Sequence, residues 1–91
     1  MGANHVHVRL FAAAAHAAGM DELEVPPGPL GEVLAEVRAQ TVDAARFDRV
    51  LAQCSVLCDG LLRAAAGEAA TSQVLVEVGA TVDVLPPFAG G

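Results

Sequence analysis

A chain of 91 residues supports one domain with a single modest core, and since 54% of it is hydrophobic but only 3% aromatic, that core has to be assembled from Val, Leu and Ala. Five basic against eleven acidic side chains leave a net charge of −6, which disfavours a nucleic-acid backbone or an anionic membrane as partner and favours a basic protein surface. No run approaches the roughly 20 apolar residues of a membrane span, and the opening residues lack the basic start and apolar run of a signal peptide, so a cytoplasmic location is expected.

Val6, Val8 and Leu10 alternate with His5, His7 and Arg9, which predicts a first strand with one apolar and one polar face. Two imidazoles at this spacing resemble half a metal site, but no acidic residue or cysteine stands nearby in sequence to complete it, so both are read as solvated strand positions and no metal is expected. Phe11 and the run Ala12 to Ala18 follow, with His16 as an exposed position inside it. Gly19 ends what reads as a short helical turn or wide loop, too short to be a stable helix alone.

Leu23-Glu24-Val25 predicts a second strand, stopped by Pro26-Pro27-Gly28. Pro29 suits the first position of a helix, where its missing N–H costs nothing. Leu30, Val33, Leu34 and Val37 then recur at helical spacing to about Gln40, the clearest helix of the chain, with only a weak cap at its start. Thr41 or Asp43 can cap a second segment, whose Phe47, Val50 and Leu51 form one stripe and whose Arg46 and Arg49 read as a solvated face.

Cys54, Val56 and Cys58 alternate with Ser55 and Leu57 in a third strand, and Asp59-Gly60 signals a tight turn after it. The spacing of the two cysteines is not Cys-x-x-Cys, and two are too few for a disulfide framework. Both are read as free thiols packed against the helix in a reducing compartment. Leu61 and Leu62 begin the returning strand; residues 64–73 read as a surface loop, and Val74, Val76 and Val78 as a short extended piece.

The end of the chain carries the strongest pattern. Val82, Asp83 and Val84 alternate as a strand, and Pro86-Pro87 then halts pairing because neither proline has an N–H to donate. Residues 86–91 are therefore expected to leave a domain of residues 1–85 as an extended arm. Gly90 and Gly91 have no Cβ, so the arm can enter a channel too narrow for side chains, with the Gly91 carboxylate leading.

The string Leu85-Pro86-Pro87-Phe88-Ala89-Gly90-Gly91 resembles the ending of the ubiquitin-like sulfur carriers of the MoaD/ThiS family, most closely the small subunits of molybdopterin synthase, and Val8-Arg9-Leu10-Phe11-Ala12 resembles the usual beginning. The resemblance covers the order of elements over nearly the whole chain. It implies an α+β β-grasp (ubiquitin-like) fold: a mixed sheet wrapped on one main helix, with the first and last strands side by side in parallel. By the same resemblance, Gly91 is adenylated by an E1-like adenylating enzyme using ATP and Mg²⁺, then converted to a thiocarboxylate by a sulfur donor. The arm is then expected to insert into the large subunit of molybdopterin synthase and to yield its sulfur to the molybdopterin dithiolene. Pro86, Pro87, Phe88, Ala89 and Gly90 match the neck of the arm, and Phe11 and Leu85, joined by Leu61 or Leu62, match apolar positions that meet the large subunit. The chain brings no catalytic acid or base of its own and no bound cofactor is implied. A carrier for thiamine or cysteine synthesis, or a protein modifier conjugated through Gly91, would share these features.

Overall fold

The first and last strands lie side by side and parallel, in a computed structural model that describes residues 4–87. Strand β1 (Val6–Leu10) pairs with the closing strand β7 (Thr81–Leu85) in the register Val8 to Val82 and Leu10 to Val84, and on its other side antiparallel with β2 (Glu22–Val25). Beyond β7 come β4 (Ser55–Cys58) and β5 (Leu61–Ala64), both antiparallel to their neighbours, so the five-stranded sheet runs β2-β1-β7-β4-β5. The architecture is the expected α+β β-grasp. Alternation along β1, β4 and β7 sends Val6, Val8, Leu10, Val56, Val82 and Val84 to one face, where all six are buried.

That face is covered by α2 (Leu30–Ala39), whose Leu30, Val33, Leu34 and Val37 are buried as the helical spacing predicts. Helix α3 (Ala44–Leu51) adds Phe47 and Leu51. It starts at Asp43, whose Oδ1 accepts the Arg46 N–H at 3.0 Å, which decides between the two candidate caps. Thr41 instead donates its hydroxyl to the Arg38 carbonyl. Arg38 reaches from α2 to α3 with Nε within 2.8 and 2.9 Å of the two Asp48 carboxylate oxygens.

Three local expectations are corrected. Residues 12–18 form a full helix, α1 (Ala12–Ala18), because Ala14, Ala17 and Ala18 are buried and tertiary packing supplies what seven residues cannot supply alone. Pro29 is the residue before α2, with ψ 142°, and not its first helical position. It belongs with Gly28 to a two-residue strand, β3 (Gly28–Pro29), antiparallel to β6 (Leu75–Val76). Cys54 precedes β4, though its side chain is buried as expected. In the loop after β5 a short 3₁₀ turn, Ala69–Thr71, presses on α2: a Cβ on Gly31 would stand 2.6 Å from the Ala70 carbonyl oxygen, so only glycine allows the contact.

Candidate functional site

The outer face of the sheet, opposite the helices, divides into two halves. On the β1/β2 side it is charged. His7 Nε2 lies 2.9 Å from Glu22 Oε1, and His7 and His5 both approach Glu24, at 3.8 and 4.0 Å. The acidic partners missing next to these histidines in sequence thus arrive by strand pairing, with Glu24 opposite His7 in the register. Even so, no group of His, Cys, Asp and Glu among the described residues is arranged to hold a metal ion.

On the β4/β5 side the outer face is apolar. Leu57 is paired with Leu62 on one side and Asp83 on the other, and Leu85 lies two pairs further along, opposite Ser55. Leu62 is 61% exposed, while Leu57 and Leu85 are half-buried. The border between the halves is a cross-strand ion pair: Arg9 Nε and Nη2 donate to the two Asp83 oxygens at 2.6 and 2.9 Å. The hydrogen bonds to Asp83, and then its charge, raise the already high pKa of Arg9. The guanidinium carbon stands 5.8 Å from the centre of the Phe11 ring, which is 39% exposed. Continuing the β1/β7 register by one residue sets Phe11 level with Leu85, so both flank the point where β7 ends.

After Leu85 the chain leaves the sheet. Pro86 is half-buried and Pro87 exposed, neither in a strand, and with Ala13, Val50 and Gln53 they line a recess of about 200 Å³ between the sheet end and helices α1 and α3. Phe88, Ala89, Gly90 and Gly91, which carry the reactive terminus expected from sequence, lie outside the described residues.

Among the four apolar positions singled out from sequence, Phe11, Leu62 and Leu85 share the outer face. Leu61 does not. The Asp59-Gly60 turn, with φ of 50° and 84°, joins β4 to β5 in two residues and pairs Cys58 with Leu61. Leu61 therefore sits beside Cys58, Leu75 and Val78, around a separate cavity of about 410 Å³ on the β6 side. Leu57 is the apolar residue of the outer face that sequence reasoning passed over. Its signal was available, since alternation placing Val56 inside places Leu57 outside.

The cysteines are inward. Cys54 is fully buried and donates its thiol to the Val50 carbonyl at 3.2 Å, and burial pushes its pKa up to about 11. Burial also raises Cys58, against a smaller lowering by Arg63.

No family model matches the chain, and no curated protein does. Solved structures do. The small archaeal modifier protein SAMP1 from Haloferax volcanii aligns over 96% of this chain and 99% of its own, at 26% identity and a TM-score of 0.70. The chain is a MoaD/ThiS-like, ubiquitin-like small protein. A Pyrococcus furiosus protein described as a molybdopterin converting factor, subunit 1, shares the fold at 22% identity and a TM-score of 0.66, over 91% of this chain and 97% of that one. So does the structure of the complex of subunits 1 and 2 of the molybdopterin-converting factor from Helicobacter pylori, at 17% identity and a TM-score of 0.62, over 96% and 99%.

Proposed function

We propose that this protein is a sulfur carrier, the small subunit of a molybdopterin synthase. One observation carries the reading: β7 delivers the root of the Gly-Gly-ending segment, at Leu85 and Pro86, to the border of an exposed apolar surface made by Phe11, Leu57, Leu62 and Leu85. A partner that grips this surface receives the arm at a fixed place and in a fixed direction. Exposed apolar residues gathered beside a functional terminus are the mark of a docking face.

The partner is the large subunit of a molybdopterin synthase; the Helicobacter pylori complex, in which a protein of this fold is assembled with its subunit 2, supports that choice. Before docking, the Gly91 carboxylate attacks the α-phosphate of ATP on an E1-like adenylating enzyme with Mg²⁺. Pyrophosphate leaves and a mixed anhydride with AMP remains. Sulfur from a donor displaces AMP and gives the thiocarboxylate. Residues 86–91 act as the arm, and Pro86, Pro87, Phe88, Ala89 and Gly90 form its neck. In the large subunit's channel the thiocarboxylate sulfur attacks the pterin precursor to give a thioester, and water then cleaves the Gly91 C–S bond, leaving sulfur on the pterin and a carboxylate on Gly91.

The test mixes verified thiocarboxylated protein with a molybdopterin synthase large subunit and cyclic pyranopterin monophosphate. Molybdopterin should form while Gly91 reverts to carboxylate. Binding without product, combined with consumption of the thiocarboxylate by an enzyme of thiamine or cysteine synthesis, would move the carrier to that pathway. The similarity to a small archaeal modifier protein favours a second reading, a modifier joined through Gly91 to lysines of other proteins. Covalent high-mass conjugates in the native cell, carrying this chain, would establish it.

A further inference from the structure

All five basic side chains of the sequence are arginines, at positions 9, 38, 46, 49 and 63, and none of the 91 residues is a lysine. This composition limits what an activated C-terminus can do. An acyl group held as an adenylate or a thioester is attacked by an unprotonated amine: the C–N bond forms, the C–O or C–S bond breaks, AMP or thiol departs, and the amine gives up a proton. Among side chains, lysine ε-amines are the groups that do this to give stable products. The arginine guanidinium stays protonated and delocalised, and is no nucleophile at these pH values.

We propose that this chain is a one-way donor: activated at Gly91, it can pass its sulfur or itself to another molecule, but no side chain of one copy can receive a second copy. The proposal rests on the reading of Gly91 as the activated terminus and extends it to the acceptor side of the same chemistry. For a sulfur carrier, it removes the side reaction that would waste the activated arm as an isopeptide. For a modifier, it rules out branched chains of this protein on its own side chains.

The structure also bears on the thiols. Cys54 is fully buried with its thiol on the Val50 carbonyl, and Cys58 is half-buried, so neither thiol presents a ready thiolate to a passing acyl group. Two of the arginines occupy places that lysine would fill poorly: Arg9 holds Asp83, and Arg38 holds Asp48, each through two short contacts to one carboxylate. Arg49 and Arg63 are different. Both are exposed, and neither has an acidic partner within ion-pair distance among the described residues. Arg49 adjoins Val50, which lines the recess under Pro86 and Pro87.

The experiment installs the thioester chemically at Gly91, so no activating enzyme is needed. It incubates that donor with the wild-type chain, with Arg49→Lys, with Arg63→Lys, and with N-acetyl-lysine amide, at pH 8. Products are mapped by intact mass and peptide sequencing; linkage to the Met1 α-amine is scored separately, since every chain has that group. N-acetyl-lysine amide and both variants should be acylated, the variants at the new lysine and at least about tenfold faster than the wild-type body, which should stay unmodified. Body-linked wild-type dimers forming at the rate of the variants would overturn the proposal. The Gly91 reading is checked apart from this, by ATP–pyrophosphate exchange on an E1-like enzyme: absent exchange sinks that reading and the proposal's biological setting with it, and leaves its mark in a different assay from a failed acceptor test.

Discussion

Arg9 and Asp83 stand directly opposite each other in the parallel pair β1/β7, 74 positions apart in sequence, and close on one another through two hydrogen bonds of 2.6 and 2.9 Å. Asp83 is the more sheltered partner, with its side chain 13% exposed against 47% for Arg9. The pair clamps the strand that leads to the arm. It also holds the guanidinium over Phe11, at the edge of the apolar half of the outer face. Asp83→Asn should therefore lower the melting temperature and loosen Phe11, and the difference from wild type should shrink as salt rises, because the exposed side of the pair is screened. Melting curves at low and high NaCl for both proteins check this; a loss independent of salt would assign it to packing instead.

Among the described glycines, Gly31 has the closest backbone neighbour. Its N–H donates to the Ser72 carbonyl at 2.9 Å, and an added Cβ would meet the Ala70 carbonyl oxygen at 2.6 Å. Gly31→Ala raises helix propensity but forces the 3₁₀ turn away from α2, and the clash should prevail, with a net loss of about 1–3 kcal/mol. Gly60→Ala provides the comparison, because nothing lies within 4 Å of its Cβ and only its φ of 84° opposes it. Urea unfolding of the two variants separates crowding from backbone strain.

Much of this architecture was legible in the chain, and the exceptions share a cause. The stripe Leu30-Val33-Leu34-Val37 and the alternation in β1 and β7 are local patterns, and they survive in the fold because each matches the period of its element. Residues 12–18 are nearly all alanine, so they carry no amphipathic period, and whether they form a helix depends on what packs over them. The pairing of Gly28-Pro29 with Leu75-Val76 joins distant residues through two positions and has no sequence signature. Leu61 and Leu62, neighbours in one strand, had to take opposite faces, but which of them faced outward was open until the two-residue turn paired Cys58 with Leu61 and Leu57 with Leu62. The apolar face was therefore half-visible: Phe11, Leu62 and Leu85 could be named, but Leu57 was passed over and Leu61, which does not belong, could not be separated.

The buried thiol makes stability depend on alkaline pH. Burial raises the folded-state pKa of Cys54 from 9.0 to about 11, so the protonated thiol favours the folded state. That contribution is complete below pH 9 and is lost as pH rises from 9 through 11, when the unfolded chain ionises its thiol and the folded chain cannot. Cys54→Ala should cost about 1–3 kcal/mol at pH 7 through the lost packing and thiol contact, yet decline less steeply between pH 9 and pH 11 than the wild type. Denaturant midpoints at pH 7, 9 and 10.5 measure both effects. Parallel slopes for the two proteins would mean that Cys54 is not the titrating group.

The two neighbouring leucines of β5 separate docking from folding. Leu61 and Leu62 are equally exposed, at 61%, in the same strand, yet Leu62 stands with Leu57 on the outer face while Leu61 turns to the β6 side with Leu75 and Val78. Glutamate at either position faces solvent, so neither change should unfold the chain, and each alters the net charge by the same amount. Any electrostatic penalty toward a basic partner is therefore shared, and the difference between the variants isolates the apolar contact. If the outer face receives a molybdopterin synthase large subunit, Leu62→Glu should speed dissociation about tenfold or more, since truncating or charging a buried apolar contact costs upwards of about 1.4 kcal/mol. Leu61→Glu should leave the off-rate within about twofold of wild type, and raised salt should slow association of both alike. Surface plasmon resonance with the large subunit immobilised reads all three quantities. Equal off-rates for the two variants would remove the outer face from the interface, and a larger loss for Leu61→Glu would transfer docking to the β6 side.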